Sequence, residues 1–192
     1  METLWSPWRM AYISGTPAPD RGGGTGGGAA EDGQEPDAAA GATPEAAGCI
    51  FCTKPAAGPG HDRANLLLWR GEHAFVILNL YPYNSAHLMV VPYRHLHDVT
   101  RLTAAECAEI MALFQRMVAA LAAEYGPQGF NAGMNLGEVA GAGIADHLHL
   151  HVVPRWAGDT NFMPVVGQTK VLPEALEQTY DRLRRRLLRA EG

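Results

Sequence analysis

Cysteine is scarce in this chain: Cys49, Cys52 and Cys107 are the only three among 192 residues. With no signal-like start either, that scarcity points away from an oxidising compartment and fits a reducing cytoplasm. No apolar run approaches the roughly 20 residues that a membrane-crossing helix needs, so no membrane association is expected. Basic charge is short as well. Fifteen Lys and Arg stand against twenty Asp and Glu, a net charge of −5, and no basic stripe occurs before the C-terminal run. A binder of duplex nucleic acid is therefore disfavoured. The glycine-rich run Gly22–Gly28 lacks the Lys-Ser/Thr ending of a phosphate-cradling P-loop. What the chain does have is 47% hydrophobic residues, enough for one domain with a sizeable core.

Its most informative stretch is His147-Leu148-His149-Leu150-His151-Val152-Val153-Pro154-Arg155. Histidine and aliphatic residues alternate with period two, the pattern of a half-buried strand. Leu148, Leu150 and Val152 are then directed into a core, and His147, His149 and His151 form a row on the opposite face. Successive histidines stand about 6.7 Å apart at a rise of about 3.3 Å per residue. Such a row offers nucleophiles, acids or ligands to one groove. A single metal held by all three rings is disfavoured, because the outer Cα atoms lie roughly 13 Å apart on an extended strand. Metal–nitrogen bonds are only about 2.1 Å. One or two of the rings remain available as ligands.

Cys49-Ile50-Phe51-Cys52 is a CxxC pair, a pattern that serves redox chemistry or metal binding and also arises by accident. The Gly-, Ala- and Pro-rich stretch before it does not supply the βαβ setting of a thioredoxin-like site. Zinc needs four ligands, commonly two thiolates and two imidazoles. His95 and His97, in Pro92-Tyr93-Arg94-His95-Leu96-His97, and His147 are the candidate partners. Cys107 falls on a helical pattern and reads as a small core residue.

Residues from about Thr16 to Ala47 are rich in Gly, Ala and Pro and cannot bury enough apolar surface to offset their ordering entropy. The chain is therefore read as an N-terminal arm (1–15), a disordered insert (16–47) and a folded catalytic domain (48–192). The arm, with Leu4-Trp5-Ser6-Pro7-Trp8-Arg9-Met10, is aromatic enough to dock on the body or on a second subunit. Strand-like runs follow at Asn65–Leu68, Ala74–Leu80 and His87–Val91. Thr103 to Glu106 forms a capping box, and Ile110, Leu113, Phe114, Met117, Val118 and Leu121 continue at helical spacing as a core-packing face. Gly126-Pro127 ends that helix. Further strands are expected at Phe130–Leu136 and His147–Trp156, and Pro173 opens an amphipathic helix running to Leu188. Its arginines, Arg182, Arg184, Arg185, Arg186 and Arg189, read mostly as a solvated face, with attraction of a polyphosphate as the second reading.

His147 to Val153 matches the pattern H-φ-H-φ-H-φ-φ, with φ apolar, at every position, and here the chain resembles the histidine triad (HIT) superfamily. The segment from Phe75 to Pro92 resembles that family's strand–loop–strand segment, with Ala86-His87 where the family usually has Gly-His. Asn135 to Gly143 resembles its phosphate-loop region. The likeness covers roughly Cys49 to Met163. Leu4 to Met10 and His151 to Trp156 most resemble the branch of diadenosine tetraphosphate phosphorylases and related hydrolases. The fold this implies is α+β, an antiparallel sheet of about five strands with a long helix and a C-terminal helix. Relatives pair as homodimers.

The resemblance also implies a role for each motif position. His149 would attack an α-phosphorus and form a covalent nucleotidyl-imidazole; near neutral pH much of an imidazole is unprotonated and able to do so. His151 would contact the phosphate and help the leaving group. His147 would be structural and, where a CxxC is present, a zinc ligand, giving the set Cys49, Cys52, His95 and His147. Four protein ligands leave no open position, so that zinc would be structural. No organic cofactor is implied. Backbone N–H groups at Gly141 and Gly143 would approach the phosphate. This loop departs from the family's form, since it lacks the usual Gln or Ser side chain and is one residue longer. Asn79 resembles the ribose-binding polar residue and reads also as a turn former; Asn135 stands likewise. Arg155 and Trp156 either line the site or pack a core or dimer. The implied substrate is a dinucleoside polyphosphate, diadenosine tetraphosphate foremost, cleaved by phosphate or by water through a His149–AMP intermediate. A nucleotide-binding regulatory protein with little turnover is one alternative. A metalloenzyme using the histidine row as a catalytic metal site is the other.

Overall fold

The computed structural model describes residues 48–160, 166–167 and 173–189. The chain divides into two compact units, and the larger, residues 41–161 and 171–192, contains the sheet and its helices. The arm and insert expected at 1–15 and 16–47 lie outside the described residues.

A seven-residue helix, α1 (Ile50–Ala56), leads through a 3-10 turn (Pro59–His61) and the short α2 (Asp62–Asn65) to the sheet. The strands are β1 (Leu67–Arg70), β2 (Ala74–Leu78), β3 (Leu88–Pro92), β4 (Gly129–Gly133) and β5 (Leu150–Arg155). They are ordered β1-β2-β3-β5-β4 and every neighbouring pair is antiparallel. Helix α3 (Ala104–Tyr125) lies between β3 and β4 in the chain, and α4 (Leu176–Arg189) ends it. The expected α+β class, with five antiparallel strands, a long helix and a C-terminal helix, is what the chain adopts.

β2 and β3 read as unbroken apolar runs because both faces of these strands are covered. On one face Val76, Leu78, Leu88, Val90 and Val152 join Ile110, Leu113, Met117 and Leu121 of α3 and Leu183 and Leu187 of α4. On the other, Phe75, Ile77, Met89 and Val91 pack with Phe51 of α1. Helix α3 starts at a complete capping box: Glu106 N–H donates to Thr103 Oγ1 and Thr103 N–H donates back to the Glu106 carboxylate. It stops at Gly126, whose φ of 55° is the left-handed conformation that glycine accepts without strain.

Element ends depart from the expected ones by a few residues. Asn65 closes α2 instead of opening a strand, and β1 begins only at Leu67. The largest departure falls at the histidines. β5 begins at Leu150, so His147-Leu148-His149 is a lead-in outside the ladder, tied down where Leu148 N–H donates to Leu96 O at 2.7 Å. Cys107 is exposed, not a core residue. The buried stripe of α3 runs through Glu106, Ile110, Leu113, Met117 and Leu121, and Cys107 lies off its edge in the first turn. The arginines of α4 divide. Arg185 and Arg189 are exposed. Arg182 instead donates to Glu124 and Glu174 and sits 4.5 Å from the Tyr125 ring, and Arg184 donates to Leu68 O. These two fasten α4 to α3 and β1. Among the described residues, no helix is long and apolar enough to cross a membrane.

Candidate active site and metal centre

The β3–β5 register places Met89 opposite His151, and His87, two residues before Met89 and just ahead of β3, comes beside His151. The histidine rings form a continuous row. His149 and His151 stand edge-on with centroids 4.8 Å apart, and His87 lies 5.1 Å beyond His151. His87 is fully buried and was not among the residues the sequence singled out. Its signal was present in Ala86-His87, but a lone histidine before a strand offers no spacing to argue from.

Hydrogen bonds fix which nitrogen of each ring carries the proton. Tyr83 N–H donates to His87 Nδ1 at 3.1 Å, so that nitrogen is bare and Nε2 is protonated. His87 Nε2–H then donates to His151 Nδ1 at 2.9 Å, which leaves neutral His151 with its proton on Nε2. His149 is set the other way: its Nδ1–H donates to the His147 carbonyl at 2.8 Å, leaving Nε2 bare. Burial holds the row neutral. It pushes His87 down to about 3, with His151 and His149 adding to the effect, and His151 down to about 4, with His149 adding. Burial also lowers His149, opposed by its bond to the His147 carbonyl. Around neutral pH the site therefore presents an unprotonated nitrogen on His149 next to an N–H donor on His151.

His147 turns away from that pair. Its Nε2–H donates to Pro92 O at 2.9 Å, which leaves Nδ1 bare, 3.4 Å from Cys49 Sγ and 3.5 Å from Cys52 Sγ. His95 Nδ1 lies 3.3 Å from Cys52 Sγ. The ligand atoms of Cys49, Cys52, His95 and His147 all lie within 4.8 Å of one another. Tetrahedral zinc, with bonds of about 2.3 Å to sulfur and about 2.05 Å to nitrogen, places S and N roughly 3.6 Å apart. The donor set fits such an ion, and the carbonyl behind His147 fixes the tautomer a metal requires. His97, the alternative ligand, is exposed and outside the cluster. Burial, reinforced by the neighbouring Cys49, pushes the Cys52 thiol up to about 11. A cation between the two sulfurs reverses that balance and favours thiolates.

The loop from Asn135 to Asp146 runs beside the cysteine–histidine cluster. Asn135 donates to Gly141 O at 3.4 Å. Gly141 has φ 90°, and its N–H closes a turn onto Glu138 O at 2.8 Å. Of the two loop glycines read as phosphate donors, Gly141 thus spends its N–H inside the loop, while Gly143 is exposed. A cavity of about 320 Å³ runs along the loop past Ala142, Gly143, Ile144 and Asp146 to Cys49 and His95. Asn79 does two things at once. Its Oδ1 accepts from Tyr81 N–H at 3.0 Å, an Asx turn, and its amide donates to His87 Nδ1 at 3.3 Å. Trp156 is half-buried, and its backbone N–H donates to Asp159, the same carboxylate that pairs with Arg155 and accepts from Asn84.

Residues 63–158 match the family model described as HIT domain. A protein of Mycobacterium tuberculosis named AP-4-A phosphorylase is 38% identical over 191 residues, spanning 100% of this chain and 84% of its own length. Adenosine 5'-monophosphoramidase hnt1 of Schizosaccharomyces pombe is 29% identical over 107 residues, 56% of this chain and 74% of that protein. Among solved structures, a Zn-bound histidine triad family protein from Mycobacterium smegmatis superposes with a TM-score of 0.60 at 26% identity, covering 76% of this chain and 97% of that one. A row of histidines with assigned tautomers, carried on this sheet and matched over this length, places the chain in the HIT domain family.

Proposed function

We propose that the protein transfers an adenylyl group from a dinucleoside polyphosphate, foremost diadenosine tetraphosphate, to His149 and then to inorganic phosphate. The observation that carries this reading is the fixed pairing of a bare His149 Nε2 with a protonated His151 Nε2 in adjoining rings. His149 Nε2 attacks the α-phosphorus, the bond to the bridging oxygen breaks, and ATP departs with that oxygen as His151 donates to it. Phosphate oxygen then attacks the same phosphorus, the P–N bond breaks and ADP leaves. His87 holds the His151 ring and keeps its outward nitrogen protonated. Phosphate is preferred to water as acceptor because the M. tuberculosis relative that matches along the whole chain bears the name of a phosphorylase.

In this reading Gly143 supplies a backbone donor to the phosphate, and Asn79 and Trp156 line the nucleoside side. Gly141 and Asn135 hold the loop in shape. Cys49, Cys52, His95 and His147 hold a structural zinc, whose chemistry is to fix the strand lead-in that carries His149. The assembly is a homodimer; among the described residues nothing pairs with the outer edge of β4.

Product analysis with diadenosine tetraphosphate, with and without inorganic phosphate, tests the reaction. ADP plus ATP formed only with phosphate, and lost in His149→Ala, is the expected result. AMP plus ATP without phosphate makes the protein a hydrolase, and no product from the wild type removes the substrate assignment.

A further inference from the structure

Between Cys49 and Cys52, at the start of α1, stands Phe51, a residue that adenylyl transfer does not use. It is 1% exposed. Its ring meets His147 edge-on at 5.5 Å and 73°, and lies tilted against His149 at 5.1 Å. His149 has its Nδ1 pinned by the His147 carbonyl and one flank against His151. Phe51 supplies a second wall. The helix that carries it has seven residues, contains Pro55 and has no side-chain N-cap. A helix that short does not hold its own position; the Phe51 ring is seated against Phe75, Ile77, Met89 and Val91, and the backbone on either side of it is carried by Cys49 and Cys52.

We propose that Phe51 is a positioning residue that transmits the geometry of the Cys49–Cys52–His95–His147 cluster to the ring of His149, aiming Nε2 at the phosphorus. This rests on His149 being the nucleophile. The competing route runs along the main chain alone, from His147 to His149, and leaves Phe51 as core filling. The two routes predict different couplings, because aiming through Phe51 disappears when either the cluster or the ring is altered, whereas independent roles multiply.

The test uses the full chain as wild type, Phe51→Leu, Cys52→Ser and the double variant, with Phe51→Met as a second replacement that keeps the site filled. Bound metal, melting temperature, steady-state kinetics and the rate of His149 carbethoxylation by diethyl pyrocarbonate, read by peptide mass, are measured on each. Phe51→Leu is expected to keep its metal and its fold and to lower kcat about 10- to 100-fold with KM nearly unchanged, the scale of a nucleophile misplaced by a fraction of an ångström to an ångström. Cys52→Ser slows the wild type and adds little on the Phe51→Leu background. Losses that multiply, or a Phe51→Leu protein with wild-type kcat and only a lower melting temperature, overturn the proposal. So does loss of metal from both Phe51 variants, which reduces Phe51 to part of the cluster's own fold. If the wild type makes no product, the adenylyl-transfer reading fails by itself. The carbethoxylation rates then still decide whether cluster and ring act on His149 non-additively.

Discussion

His87 has no contact with solvent, and burial, His151 and His149 together hold its pKa down to about 3. In the unfolded chain the same ring takes up a proton near pH 6.5. Folding excludes that proton, so the stability tied to this ring is complete above about pH 6.5 and is lost as pH falls toward the folded value. Denaturant midpoints should drop between about pH 7 and pH 5, and His87→Gln, which cannot titrate there, should flatten part of that slope. A variant with the full wild-type slope would discharge His87 as its source. His149 and His151 were legible from spacing, because period two is itself an argument about faces. His87 was not, since what it does is decided by the β3–β5 register. Ala86 shows the reverse case. It occupies a φ of 58°, where a side chain costs about 1 kcal/mol or more, which is the physical reason for a glycine at that place in the family pattern.

Elements were legible in kind and order but not at their ends. Thr103, Glu106 and Gly126 are local signals and delimited α3 correctly, whereas β5 starts at Leu150 because the residues before it are recruited by Cys49, Cys52 and Leu96. The β1–β2 turn has a support no local pattern reveals: the Glu109 carboxylate of α3 accepts from the backbone N–H groups of Glu72, His73 and Ala74. Helix α1 is short, contains Pro55 and has no side-chain cap, and its prediction follows from that. Wild-type protein purified without chelator should carry one zinc per chain. Cys52→Ser should lose it, melt at lower temperature, and exchange backbone amide hydrogens faster in α1 and around His95, with α3 and α4 unchanged. Metal-free wild-type protein would exclude the zinc assignment.

On the scale of the molecule, β4 is the sheet's weak margin. Asn131, Ala132 and Gly133 are exposed and, among the described residues, pair with no strand but β5. Open edges invite a further strand, and proteins either guard them or use them. A homodimer formed there should sediment at twice the 20.6 kDa chain mass, and a monomer across the micromolar range would rule it out. The five-strand architecture was legible because buried strands and an amphipathic helix leave few ways to close one core. The proton arrangement was not, because it is written in hydrogen bonds between distant segments. At three of the rings that writing is done by the peptide backbone: Tyr83 N–H, the His147 carbonyl and the Pro92 carbonyl. Backbone groups are indifferent to side-chain identity, and at position 83 only proline deletes the amide. The orientation of His87, His149 and His147 is thereby insulated from mutation of their backbone partners, whereas that of His151 rests on the His87 side chain. Descendants of this chain can exchange the aromatic and loop residues around the row while the bare nitrogen of His149 is inherited intact.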